Sequence, residues 1–257
     1  MIIDLHSHLL PGIDDGAKDL THALELARKA ESEGITHLLV TPHYKNGQYT
    51  NMASDIVKST EALQDAIDKA GINLTIFPGQ EVRIHDDLLD SIRDNDVQFL
   101  DLNNRYLLLE FPTPYIPDYT ETLIYELVHR GITPIIAHPE RNHVIKENPN
   151  KMLSFIDQGC LGQVTAASYM GVFGEELAQI SKDMIAHDLV HVISSDAHGI
   201  GLRDFYMKDA YEKLENEFGS SKVKQLTERA KAIVNGEEIT DVEASPIEKN
   251  KRFFGLF

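Results

Sequence analysis

About seven short apolar runs alternate with helix-spaced stretches along the whole chain, and this alternation restricts the fold more than any other feature. The runs occupy residues 2–5, 35–40, 74–77, 106–111, 132–137, 161–164 and 190–195. Short apolar strands separated by helices are the mark of a parallel sheet covered on both faces. Apolar residues recur at helical spacing over 20–32, 53–69, 86–93, 119–129, 151–158 and 175–187, and again over roughly 205–218 and 222–234. Gly34, Gly71, Gly131 and Gly159 stand where these helices stop. Successive βα units of this kind predict an α/β fold: a closed or nearly closed TIM-like barrel of about seven parallel units. No Pro-, Gly- or Ser-rich linker interrupts the pattern, so residues 1–257 read as a single domain.

Strand after strand ends in a residue able to hold a metal. His6 and His8 close the first run two positions apart, a spacing that turns both side chains to one face of an extended chain. The Pro11-Gly12 pair then turns the chain, so that Asp14 can return toward the same point as an oxygen ligand. The later strand ends carry His43, Glu81, Glu110, His138, and then Asp196 and His198. In a βα barrel the carboxyl ends of the strands share one rim, which gathers these distant residues into one metal cluster. Five histidines, two glutamates and two aspartates exceed what one four- to six-coordinate ion can use, so two or three divalent metals are implied. Imidazole ligands favour Zn, Fe, Mn or Co over Mg or Ca, and a carboxylate such as Glu81 can bridge two ions.

Charge narrows the partners. The chain carries 41 acidic and 24 basic residues, a formal net charge of −17, which argues against nucleic acid or an anionic membrane as a broad partner. An anionic substrate must then be drawn in by metals or by a few local cations. The single cysteine, Cys160, excludes an intrachain disulfide and suits a reducing cytoplasm. It also lacks the arginine six positions later that thiol-based tyrosine phosphatases need, since Ala166 stands there. The N-terminus has neither the basic nor the long apolar region of a signal peptide, and no apolar run approaches the roughly twenty residues that span a bilayer.

In order and wording, His6-x-His8, Thr-Pro-His43, Pro-Gly-Gln-Glu81, Leu-Glu110-Phe-Pro, His138-Pro-Glu-Arg141-Asn and Ser-Asp196-Ala-His198 resemble the motifs of the polymerase and histidinol phosphatase (PHP) family. The likeness is strongest to its bacterial protein-tyrosine-phosphatase branch, associated with capsule and exopolysaccharide synthesis. It runs nearly the whole chain, including the basic and aromatic tail at 249–257. The resemblance implies a distorted barrel of about seven strands with a trinuclear centre usually served by Mn. Carried over, His6, His8, Glu81 and Asp196 hold one ion. Glu81 bridges to a second, held also by Glu110 and His138, and Asp14, His43 and His198 hold the third. Arg141 and Arg203 match the branch's phosphate-binding arginines, a role suited to a planar guanidinium that forks onto phosphate oxygens.

The implied activity is metal-dependent hydrolysis of phosphotyrosine, with a water ionised on the metals attacking phosphorus in line. A tyrosine phenolate, with a parent pKa near 10, leaves more readily than an alkoxide. The implied partner is a tyrosine-phosphorylated protein, a bacterial tyrosine kinase of capsule synthesis. Three readings compete with this: a phosphatase of a small monoester of the histidinol phosphate type, an amidohydrolase, and a non-catalytic module that grips a kinase tail. Oligomeric state is not legible. His143 and the tyrosines Tyr44, Tyr49 and Tyr115 fall near the rim, and the other histidines read as structural.

Overall fold

The computed structural model describes residues 1–248, and the tail expected at 249–257 lies outside the described residues. Among the described residues there are nine strands: β1 (Ile2–Asp4), β2 (Ile35–Val40), β3 (His43–Tyr44), β4 (Thr75–Pro78), β5 (Glu81–Arg83), β6 (Tyr106–Glu110), β7 (Thr133–Ala137), β8 (Leu161–Thr165) and β9 (Val192–Ser194). All neighbouring pairs are parallel, in two ladders of order β1-β2-β4 and β3-β5-β6-β7-β8-β9.

The two ladders meet because two of the expected strands are each broken in two. Between β2 and β3 stands Pro42, which has no N–H to give a ladder. Between β4 and β5 stands Gly79, where a Cβ would meet Leu100 and Thr41 methyl carbons at 3.0 Å. The chain crosses both breaks without losing its neighbour: Gly79 N–H donates to the Val40 carbonyl (2.9 Å) and Glu81 N–H to the Pro42 carbonyl (3.2 Å). Counting each broken strand once leaves the expected seven positions.

The remaining seam, β1 against β9, is where the ring is distorted. Ser7 and Ala197 form an isolated parallel bridge, with His8 N–H donating to the Ala197 carbonyl (2.9 Å) and Asp196 N–H to the His6 carbonyl (2.8 Å). Below it a side chain replaces the ladder. The buried Asp4 carboxylate accepts from Ser195 N–H (2.9 Å) and from the Ser195 hydroxyl (2.5 Å). Burial pushes the Asp4 carboxyl up to about 6 in spite of these bonds.

The helices are α1 (Leu20–Ser32), α2 (Ala53–Lys69), α3 (Leu88–Arg93), α4 (Thr120–His129), α5 (His143–Glu147), α6 (Lys151–Asp157), α7 (Ala166–Tyr169), α8 (Glu175–Ala186), α9 (Met207–Phe218) and α10 (Ser220–Asn235). Consecutive strand residues alternate between two cores, as a period of two requires. Leu39, Leu108, Ile135, Leu161 and Val192 fill the barrel, while Leu38, Leu107, Leu109, Ile136, Val164 and Ile193 pack outward against the helices. Ala230 and Ile233 of α10 join the inner core with Ile3 and Tyr106, residues near the starts of their strands, so α10 plugs the amino-terminal mouth. The carboxyl-terminal rim is left for the site. Among the described residues no helix is long and apolar enough to cross a membrane.

Candidate metal centre

Glu81, at the start of β5, is fully buried and stands at the middle of the rim. His138 Nε2 and His43 Nδ1 each lie 2.7 Å from one of its oxygens, and His6 Nε2 and His8 Nε2 each lie 3.5 Å away. Asp196 Oδ1 lies 3.3 Å from His6 Nε2 and 3.4 Å from His8 Nε2, and the two imidazole nitrogens are 3.3 Å apart. Four ligands around an ion at about 2.1 Å stand about 3.4 Å from one another. His6 and His8 therefore stand at ligand-shell spacing from Glu81 and, separately, from Asp196, and His6, His8 and Glu81 lie close enough together to hold one ion.

Two of the side chains are delivered at a backbone cost. His138 and Asp196 follow β7 and β9 with φ of 33° and 51°, left-handed values that non-glycine residues adopt rarely and that concentrate at functional positions. His6 is oriented from behind by Gln163 of β8, whose Oε1 is 2.9 Å from Nδ1, which leaves Nε2 for the cluster.

The second grouping revises one expected ligand. Asp14 does not enter the cluster. Its Oδ2 lies 2.7 Å from His8 Nδ1 and its Oδ1 accepts from Gly16 N–H at 2.9 Å, so it aims the His8 ring from outside. The oxygen that faces His43 and His198 belongs to its neighbour. Asp15 Oδ1 is 3.2 Å from His43 Nε2 and 3.3 Å from His198 Nε2, and with His8 these groups lie close enough to hold one ion. Adjacent residues in a tight turn point in different directions, and strand alternation does not extend into the turn to say which of two aspartates faces inward.

A third grouping brings Glu81 and His43 together with Glu110 at the end of β6. His138 reaches Glu81 from the other side. Buried beside Glu81, the Glu110 carboxyl is pushed up to about 7. It is opposed by a residue the motifs did not mark: Arg83 donates from Nε to Oε2 (2.8 Å) and from Nη2 to Oε1 (2.9 Å). The available signal was position alone, since Arg83 follows Glu81 by two on the same strand.

Polar satisfaction shows that the set suits metal. His43 Nδ1, Glu81 Oε2, Asp196 Oδ1 and His198 Nε2 are buried, and among the described residues none has a partner aligned for a hydrogen bond, although His43 Nδ1 and Glu81 Oε2 lie only 2.7 Å apart. Groups of that kind are rare unless an ion or water completes them. Burial alone would raise Asp196, yet His6, Arg141 and His198 hold its carboxyl well below the usual range. Burial, with the charge of Arg141, lowers His138 to about 4, and burial, with His8, lowers His198 to about 4, so both rings are neutral and free to ligate at neutral pH.

Both expected arginines reach this centre. Arg141 Nη1 donates to Asp196 Oδ2, and Arg203 donates to the same oxygen (3.4 Å) and to Asp15 Oδ2 (3.3 Å). Together with His143, Lys146, Phe173, Leu177 and Leu202 they line a cleft of about 400 Å³, tied to the cluster through the bonds of both arginines to Asp196. A larger cavity of about 600 Å³, around Ile3, Phe77, Leu100 and Val234, is mainly apolar and contains none of the cluster residues. Tyr49 stacks over His43 at 6.1 Å, Tyr44 is buried in the outer core, and Tyr115 is exposed. Cys160 is buried in the outer core, where burial raises its thiol far above its ordinary value.

The family described as capsular polysaccharide synthesis, CpsB/CapC, matches residues 2–235. The chain belongs to the CpsB/CapC family. Within it, the chain is 37% identical over 257 residues to the tyrosine-protein phosphatase YwqE of Bacillus subtilis (strain 168), covering all of both chains. It is 34% identical over 255 residues to the putative tyrosine-protein phosphatase CapC of Staphylococcus aureus, covering 99% of this chain and 100% of that one. A crystal structure from a study of YwqE and of CpsB from Streptococcus pneumoniae, described as unique metal-dependent tyrosine phosphatases, matches with a TM-score of 0.92 at 36% identity. It covers 96% of this chain and 100% of the other. An organophosphorus hydrolase variant from Deinococcus radiodurans shares the fold alone, at a TM-score of 0.53 and 12% identity over 89% of this chain and 91% of that one.

Proposed function

We propose that this CpsB/CapC-family chain is a metal-dependent protein-tyrosine phosphatase, holding two or three divalent ions, Mn first among Mn, Fe, Zn and Co. Its substrate would be a phosphotyrosine on a cytoplasmic protein of capsule or exopolysaccharide synthesis, a bacterial tyrosine kinase being the expected one. The observation that carries this reading is the convergence of Arg141 and Arg203, which line a cleft, on Asp196 of the buried histidine and carboxylate cluster.

The ligand assignments combine the family resemblance with the side-chain groupings on the rim, which support them in part. His6, His8, Glu81 and Asp196 would hold one ion; Glu81, Glu110 and His138 a second; and Asp15, His43 and His198 a third. Bound there, divalent metals supply Lewis acidity toward phosphoryl oxygens and a hydroxide nucleophile at neutral pH. The chain's own part is positioning. Arg141 and Arg203 present N–H donors from two loops to the non-bridging oxygens of a phosphate in the cleft, and their charge offsets that which builds up in the transition state. Phe173, Leu177 and Leu202 offer an apolar wall to the phenyl ring. The small-monoester reading explains neither this wall nor the similarity to named tyrosine phosphatases.

The test is phosphate release from phosphotyrosine and phosphoserine peptides, with chelated protein and with Mn restored. The expected result is Mn-dependent release from phosphotyrosine, reduced about 10²- to 10³-fold in Arg141→Ala. No release with any divalent metal, from a folded chain, would overturn the enzyme reading in favour of a binding module. Equal release from both peptides would leave a metallophosphatase with a different natural substrate.

A further inference from the structure

Strand alternation places Arg83 on the same side of β5 as Glu81, and the parallel register of β5 with β6 sets Arg83 directly abreast of Glu110. The contact is a fork, with two N–H donors on two oxygens at 2.8 and 2.9 Å. Among the described residues Arg83 makes no other ion pair, and no other cation lies within ion-pair distance of Glu110. Arg203, by comparison, divides its donors between two aspartates at 3.3 and 3.4 Å, as a cation kept available for a ligand would.

We infer that Arg83 is a positioning residue for metal binding, forking Glu110 into the one orientation in which that carboxylate completes the ion site it shares with Glu81. The inference rests on the metal reading given under Proposed function. A carboxylate oxygen has two lone pairs, and a guanidinium fork takes one from each oxygen, so Glu110 keeps an oxygen lone pair for a cation. Without the fork, Glu110 is a flexible side chain beside the like charge of Glu81, and the two carboxylates separate. Hydrogen-bonding partners behind a metal ligand typically contribute ten- to a hundred-fold in affinity. The ion shared by Glu81 and Glu110 is therefore the one that depends on Arg83.

The experiment uses the full chain, chelated and then titrated with Mn²⁺ alone, as wild type, Arg83→Met and Arg83→Lys. Bound Mn per chain is read at fixed free Mn, and melting temperature is read with and without Mn. In Arg83→Met one Mn should lose about ten- to a hundred-fold in affinity while the others hold. Arg83→Lys, which keeps the charge without the fork, should fall between. A lower melting temperature of the metal-free Arg83→Met chain with Mn affinity unchanged would show a purely structural ion pair and overturn the inference. Tighter Mn binding in Arg83→Met would overturn it too, because the fork would then compete with the metal. A wild-type chain that binds none of Mn, Fe, Zn and Co would refute the metal reading itself, whereas metal binding without phosphotyrosine hydrolysis would refute the phosphatase reading and leave the role of Arg83 decided by the titration.

Discussion

Asp14 and Asp15 carry the same functional group one peptide apart and do different work. Asp14 accepts from Gly16 N–H and lies against His8 Nδ1, so its effect on a bound ion passes through the imidazole. Asp15 faces His43 and His198 directly. The two substitutions should therefore differ in kind. Asp15→Ala removes the oxygen that stands between His43 and His198, the proposed ligand, and Mn counted by elemental analysis at saturating metal should fall by one ion per chain. Asp14→Ala should leave that count unchanged and shift the Mn titration about ten- to a hundred-fold toward higher concentration. Equal loss of stoichiometry in both would mean that the pair acts as a unit.

At the scale of elements, the rim depends on how loops are anchored. Asn142 ends the short 3-10 turn that carries Arg141 and begins α5. Its Oδ1 accepts from Val144 N–H (3.0 Å) and Ile145 N–H (3.1 Å), and its Nδ2 donates to the carbonyls of Pro112 (2.8 Å) and Tyr115 (3.1 Å). Asn142→Ala loses a helix cap worth about 1 kcal/mol and frees the arginine's loop from the segment after β6. The expected phenotype is a modest drop in melting temperature with a larger rise in KM than loss in kcat. A KM that does not move would show that Arg141 is held by Asp196 alone. The strands and most helices were legible because apolar periodicity survives wherever chain packs on both sides, as in 35–40 and 106–111. The breaks at Pro42 and Gly79 were not, since an apolar strand reads the same whether its ladder is continuous or shared between two sheets. The inward face of Asp15 and the register of Arg83 on Glu110 are likewise relations between segments, which no local pattern encodes.

For the whole molecule, the centre draws on six of the seven strand positions of the ring, all but β8. His6 and His8 follow β1, His43 belongs to β3, Glu81 to β5, Glu110 to β6, His138 follows β7, and Asp196 and His198 follow β9. The same seam that completes the ring, the Ser7–Ala197 bridge, lies between His6 and His8 on one strand and between Asp196 and His198 on the other. Metal that ties His6 and His8 to Asp196 would also hold the seam shut, where the ladder is a single bridge and the Asp4–Ser195 bonds. A ligand bound only by the folded state adds stability by mass action, about 2.7 kcal/mol at a hundred times its Kd. For a chain of 257 residues that corresponds to a rise of several degrees per ion. Calorimetry of the chelated chain should therefore show a lower melting temperature, restored by Mn and rising with its concentration. Hydrogen exchange should place the largest metal-dependent protection at the amides of His8 and Asp196, the two seam donors, ahead of the β6–β7 ladder. Uniform protection across both regions would show that metal stabilises the fold as one unit and that the seam is no weaker than the rest of the barrel.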